Sequence, residues 1–292
     1  MALVTAKRIS AISVELLSRA LVLPMTVARV PGEEFTGDAG DTITVRVRNI
    51  RTARKQATPG AGITYDALNE TPVDVTLEHW YDAARITDEQ QSLQLVDFAT
   101  QVTAPQVASV AVAAENILAA KMNGLAAEGS FATTATEADT RAKLLLARQA
   151  LSAANVPPGD RFLAAAPDIV NRILSVPDFT RADAMGDGRS SALRDAIVGK
   201  VLGFTVVEAN GLTAGTALGY HRSGFVFANK APVAPRGLPS EQSATTIAQG
   251  IAMRQVFQYQ PDILSDTSVM SSFAGAATVD GNRVFKLDTT AP

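Results

Sequence analysis

Cysteine is absent from this chain, so disulfides, thiolate nucleophiles and thiolate metal sites are all excluded. Histidine is almost absent. Only His79 and His221 occur, far apart and outside any HExxH pattern, which removes the usual zinc-binding arrangements. Aromatic residues make up 5% and charged residues 19% against 47% apolar, a composition that folds rather than stays disordered. No excess of one charge exists either: a net charge of −3 gives no electrostatic reason for tight nucleic-acid binding. No apolar run approaches the length of a membrane span. The N-terminus, with Lys7 and Arg8 ahead of an apolar stretch, imitates a signal peptide, but Glu15 and Arg19 interrupt it and no Ala-x-Ala site follows.

Catalytic motifs are also missing. A Ser-His-Asp set around His221 has no GxSxG elbow, and the GDGRS at 186–190 and GAG at 60–62 lack the Lys-Ser/Thr of a phosphate loop. Asp183 and Asp187 read as solvated loop residues. Nothing satisfies the requirements of an active site, so neither enzymatic activity, cofactor nor metal is expected.

What the chain does contain is order. A length of 292 residues suits one large or two ordinary domains. Ile9, Ile12, Leu16, Leu17 and Ala20 mark one face of an amphipathic helix that Pro24 is expected to end. Residues 41–50 alternate strictly, with Ile43, Val45 and Val47 on one side and Thr44, Arg46 and Arg48 on the other. Val73, Val75 and Leu77 alternate likewise with Asp74, Thr76 and Glu78. Antiparallel pairing of the two gives an aliphatic face and a second face that sets two arginines against two carboxylates. The connection, RTARKQATPGAGITYDALNE, has little periodicity and brings Arg51, Arg54 and Lys55 together. A loop this long in a compact domain is usually functional. A basic loop on a two-stranded arm is built to reach another molecule.

Thr87 and Gln90 have the spacing of a capping box that opens a short helix. A long helix follows over 106–123, entered beside Pro105, stopped by Gly124, and striped with Val107, Val110, Ala111, Ala114, Leu118, Met122 and Leu125. Its small side chains allow close approach of a sheet or another helix, so it reads as a buried strut. Residues 128–136 read as a linker. A helix is expected over 138–154 with Ala142, Leu145, Leu146, Ala150 and Leu151 inward, then a strand over 161–166 and a helix opened by Pro167 and Asp168. The loop 178–194 is rich in Gly, Asp and Ser. Strands are expected over 204–207, 217–220 and 224–228, and in the tail over 251–259, 269–273 and 283–287. Asp280-Gly281 gives a hairpin signal, and the tail is expected to form a sheet against the long helix. The mixture gives an α+β fold.

This order of pieces resembles the major capsid proteins of tailed bacteriophages, the Hong Kong 97-like shell fold. DTITVRVR, VDVTLEHW and ITDEQQSLQLVDF leading into the long helix carry the likeness, with VLGFTVVEANGL and ALGYHRSGFVFA further on. The resemblance implies an N-terminal arm over 1–40, an extended β-hairpin loop over 41–80, and a peripheral domain with the spine helix over 81–136. It further implies an axial domain over 137–228 and return strands of the peripheral domain over 229–292. It implies self-assembly into pentamers and hexamers of an icosahedral shell around double-stranded DNA, without sequence-specific binding and without a membrane. A portal and a separate scaffolding protein are implied partners, since no long leader precedes the arm, and assembly takes place in the host cytoplasm. Arg46, Arg48, Arg51, Arg54, Lys55, Asp74 and Glu78 are then expected at contacts between subunits. Some members cross-link through a lysine, and Lys55 sits in the corresponding loop. An encapsulin-like compartment around an enzyme cargo shares the shell fold, and an α+β enzyme is the remaining alternative.

Overall fold

The computed structural model describes residues 22–30, 42–48, 53–56, 58–60, 62–65, 67, 70–93, 98–132, 136–177, 199–237, 239, 242–248 and 251–289. The expected helix near residues 9–20, Arg51 and the loop 178–194 lie outside them. The chain begins with a short helix α1 (Leu23–Thr26) and strand β1 (Ala28–Val30), then β2 (Thr42–Arg48), β3 (Glu70–Thr76) and β4 (Glu78–Thr87). Helix α2 (Asp88–Leu93), a π-helical turn (Ala99–Thr103), the long helix α3 (Ala104–Asn123) and β5 (Gly129–Ser130) follow. Next come α4 (Glu137–Ala153), β6 (Arg161–Ala165), α5 (Pro167–Ser175), β7 (Lys200–Val201), β8 (Phe204–Glu208) and β9 (Ala217–His221). The last strands are β10 (Phe225–Lys230), β11 (Ser243–Ala248), β12 (Ile251–Gln260), β13 (Ser265–Thr278) and β14 (Val284–Asp288).

One sheet runs β1-β10-β13-β12-β11, with β4 paired along β13; a second runs β5-β14-β9-β6-β8-β7; among the described residues β2 and β3 pair only with each other. Helix α3 lies on the first sheet. It buries Val107, Val110, Ala111, Ala114, Leu118 and Met122, the stripe expected from the sequence, against Met270, Ala274 and Ala276 of β13. Burying side chains such as Leu118 and Met122 contributes about 1.5–3 kcal/mol each. The opposite side, with Val112 at 52% exposure, faces solvent, so α3 is half-buried rather than enclosed. Gln106 fixes its start: Nε2 donates to the carbonyls of Asp82 (3.3 Å) and Ser268 (2.9 Å), and Oε1 accepts from the Ser268 hydroxyl (2.8 Å). Gly124 ends the helix as expected, at an ordinary φ of −71° rather than in the left-handed region.

Several expectations shift. Pro24 itself opens a helix, occupying the first turn of α1, where no amide donor is needed. Helix α4 buries Thr140, Leu144, Ala147 and Leu151, while Ala142, Leu145 and Leu146 are exposed, a rotation of the stripe within the Leu144–Leu146 run. Sheet membership also crosses the expected boundaries. Strand β10 belongs to the first sheet, whereas β14, from the tail, belongs to the second, between β5 and β9. Asp280-Gly281 therefore makes no hairpin. Asp280 caps a 3-10 turn (Gly281–Arg283) where the chain leaves one sheet for the other. Asn229 binds three strands together: its amide donates to Ser272 Oγ (2.7 Å) and the Phe273 carbonyl (2.9 Å), and its oxygen accepts from the Ala252 backbone N–H.

Candidate functional site

The hairpin arm forms as its alternation dictates. Ile43 faces Val75 and Val45 faces Val73, and this aliphatic side packs at its root on Val226, Ala228 and Ala277. The polar side differs from the expected double ion pair. Arg46 lies opposite Pro72 and reaches diagonally to Glu70 at 3.6 Å, an exposed contact worth about 1 kcal/mol or less. Asp74 instead accepts the Thr44 hydroxyl at 2.6 Å. Arg48 is opposite Glu70 in the ladder. Glu78 is not part of the hairpin, because β3 ends at Thr76 and Glu78 opens β4, paired with Ala274 of β13. Arg54 and Lys55 are exposed on the connecting loop, beyond the ladder.

Two features of the arm escape a reading by charge. Ile63 is 63% and Tyr65 85% exposed, a β-branched residue and an aromatic at alternate positions in a loop whose other described residues are small or polar. Gly275 meets the arm's root: a Cβ there would lie 2.1 Å from the Thr76 carbonyl oxygen, so the two backbones cross without room for a side chain. The alternation of Ile63 with Gly62 and Thr64 was a legible signal for the first; nothing local announced the second.

Helix α3 carries the other built feature. Glu115 accepts the backbone N–H of Val22 (3.1 Å to Oε2) and of Leu23 (3.2 Å to each oxygen), holding the first turn of α1 against the helix. Beside it the Thr26 hydroxyl meets the fully buried Tyr220 hydroxyl at 2.5 Å, and burial pushes the Tyr220 phenol far up. Burial also pushes the Glu115 carboxyl above its usual range, against the two N–H groups that pull it down. A carboxyl raised on folding stabilises most below its unfolded pKa and loses that contribution as pH rises through the folded value. Glu115→Gln is uncharged at every pH. It should therefore gain on the parent in melting temperature as pH rises from 4.5 toward 8, the gap closing in acid. A gap independent of pH across that titration sinks the assignment. Glu115→Ala, which leaves both N–H groups without their acceptor, should lose about 1–3 kcal/mol.

The histidines have local roles. His79 stacks on Phe273 at 4.7 Å between centroids on an exposed strand. His221 Nδ1 accepts the Ser223 backbone N–H (3.2 Å) and lies 2.8 Å from its hydroxyl, capping a 3-10 turn, and burial lowers its pKa. Among the described residues no group of three or more His, Asp or Glu could hold a metal ion.

What remains prominent is a projecting two-stranded arm, a long helix on a sheet, and a second sheet. The phage capsid protein family matches residues 85–290, well over half of the chain. No curated protein matches the chain by sequence. Among solved structures, a chain of Mycobacterium phage Che8 is similar at TM-score 0.67 and 19% identity, over 93% of this chain and 92% of that one. The capsid of cyanophage P-SCSP1u gives TM-score 0.67 at 12% identity, over 92% and 88%. A virus-like particle from Pyrococcus furiosus gives TM-score 0.58 at 9% identity, over 97% and 98%. Identities this low establish the fold alone, whereas the family match favours a virus coat over a cellular compartment. The chain belongs to the phage capsid protein family, a shell-forming major capsid protein of the Hong Kong 97-like α+β fold.

Proposed function

We propose that the hairpin arm is the element by which one subunit grips the next in a shell around packaged double-stranded DNA. The observation that carries this is the arm itself. Among the described residues its strands pair only with each other, and beyond them Arg54, Lys55, Ile63 and Tyr65 are exposed. Arg46, Arg48, Arg51, Asp74 and Glu78 belong to the same reading as contact residues along the arm and at its root. The first sheet with α3 serves as the peripheral domain and the second sheet with α4 and α5 as the axial domain. The loop 178–194 would then approach the axis of a ring. The subunit acts without enzymatic activity. It assembles in the host cytoplasm with a separate scaffolding protein and a portal, and encloses DNA without reading its sequence, in keeping with the near-neutral charge of the chain.

Arm contacts are partly exposed, so each charge pair contributes about 1 kcal/mol or less, but the contact repeats around every ring. Assembly is then steep in salt, although folding of the subunit is not. Arg54→Glu with Lys55→Glu should leave the melting temperature within about 2 °C, since exposed substitutions stay within about 0.5 kcal/mol. Closed shells counted by negative stain should fall at least tenfold. Normal shell yield with unchanged salt dependence would make the arm's charge irrelevant.

A further inference from the structure

The tripeptide Asn-Gly-Leu occurs at 123–125 and again at 210–212, and the fold sets the two copies against each other. Asparagine before glycine is open to attack by the backbone on its own side chain, because glycine has no Cβ to shield its nitrogen. The first copy is locked. Asn123 is the last residue of α3, its Nδ2 donates to the Gly211 carbonyl (3.0 Å), and its Oδ1 accepts the Thr213 N–H (3.1 Å). The Gly124 N–H is held by the Ala120 carbonyl at 3.0 Å. The second copy is open. Asn210 and Gly211 are the central residues of a tight turn closed by the Leu212 N–H on the Ala209 carbonyl at 3.2 Å. Asn210 is exposed, and among the described residues neither its side-chain amide nor the Gly211 N–H has a hydrogen-bond partner.

The turn has no slack on its inner side. Gly211 lies so close to α3 that a Cβ there would meet Ala119 Cβ at 2.8 Å and Asn116 Oδ1 at 3.1 Å. Its carbonyl is also the acceptor that orders the Asn123 side chain at the end of the helix. A change in the backbone at Asn210 is therefore felt at the joint between α3 and the second sheet.

We propose that Asn210 is a self-modifying site, which loses its amide to the Gly211 nitrogen and ages to isoaspartate and aspartate, while the fold preserves Asn123. Solvent hydroxide takes the Gly211 N–H proton, and the nitrogen attacks Asn210 Cγ. The bond from Cγ to the side-chain nitrogen breaks, ammonia leaves with a proton from water, and a five-membered succinimide closes. Water then opens the ring at either carbonyl. One opening gives aspartate; the other gives isoaspartate, with the backbone running through Cγ. Water is the one co-reactant, and nothing is oxidised or reduced. Both products carry a carboxylate, two residues from Glu208 and beside the negative end of the α3 dipole, where it is repelled. Isoaspartate also adds a backbone carbon to a turn that has no room against Ala119. The aged turn loosens its hold on the helix end.

Trypsin separates the two copies into peptides 201–222 and 122–141. The purified full-length chain is held at mildly alkaline pH, and mass spectrometry follows the conversion of amide to acid in each peptide. Isoaspartate is counted with protein isoaspartyl methyltransferase. In denaturant the identical triplets meet the same solvent and should age alike. In the folded chain 201–222 should convert about tenfold faster than 122–141 or more, because Asn123 and Gly124 must first give up their hydrogen bonds. Isoaspartate should be the larger product. Amide hydrogen exchange over 209–216 should quicken with age in the parent and stay constant in Asn210→Gln, whose longer side chain closes its ring slowly. Equal conversion of the two peptides in the folded chain, or an intact 201–222 where the denatured chain converts, overturns the proposal. Conversion with unchanged exchange overturns the link to the helix end.

Discussion

Gly275→Ala should lower the melting temperature of the subunit by about 5–10 °C and abolish closed shells. The substitution adds one methyl group, and the effect comes entirely from where that group must go. Its carbon would sit 2.1 Å from the Thr76 carbonyl oxygen and 3.0 Å from the carbonyl carbon. An ordinary carbon–oxygen contact needs about 3.3 Å, so the arm's last residue must retreat by roughly 1.2 Å. Both partners are backbone, and neither can turn aside as a side chain would. Thr76 ends β3, and Gly275 lies in the middle of the sheet beside Ala228, so the movement falls on the hinge of the arm. The buried cluster of Ile43, Val75, Val226, Ala228 and Ala277 opens with it. Overpacking of this kind costs about 3 kcal/mol at the upper end, and a displaced root swings residues about 20 Å away by more than itself. Gly281→Ala is the control, since its Cβ meets nothing within 4 Å. A Gly275→Ala subunit that melts within a degree of the parent and closes normal shells would show that the crossing has slack.

The contrast between Gly275 and Thr87 shows which parts of this fold are legible in the sequence. Thr87 and Gln90 form the reciprocal capping pair that their spacing announces, with Gln90 N–H donating to Thr87 Oγ1 at 3.3 Å. The alternation at 42–48 and the stripe on α3 are equally local, and both fold as read. Strand β4 was hidden because its inward positions are Asp82, Ala84 and Ile86, of which only Ile86 is a large apolar residue. The phase of α4 was hidden because three consecutive leucines fit two stripes, and only the arrival of β14 selects Leu144. The exchange of β10 and β14 between sheets depends on pairings more than 40 residues apart, which no window of sequence contains. For the arm, alternation marked the two strands, but the cross-strand register moved Arg46 to Glu70 and left Asp74 to a hydroxyl. Gly275 is simply the place where two distant backbones meet.

Lys286→Met should be the most damaging single change at the joint between the two sheets. Lys286 is 7% exposed, in strand β14, and its ammonium donates to the carbonyls of Asn123 (2.7 Å) and Leu125 (3.0 Å). Asn123 is the last residue of α3, so the cation sits where the helix leaves its final carbonyls without partners and where its dipole is negative. The same strand takes the Glu128 N–H onto the Lys286 carbonyl at 2.9 Å, and Asn123 holds the Gly211 carbonyl and the Thr213 N–H with its own amide. One side chain thus joins the end of the spine helix to the second sheet. Methionine keeps the length of the stem and removes the donors. Charged hydrogen bonds contribute about 1.5–3 kcal/mol each, but removal of the charge also relieves its burial, so the net loss is about 2–4 kcal/mol. That corresponds to a fall of about 4–10 °C in melting temperature. The loss should be local before it is global: amides of residues 124–131 should exchange hydrogen faster, while those of α3 near Gln106 keep their protection. Lys286→Arg retains a cation and donors, and should recover part of the loss despite its larger head. Equal damage from arginine and methionine, with unchanged exchange at 124–131, would show that Lys286 merely fills space.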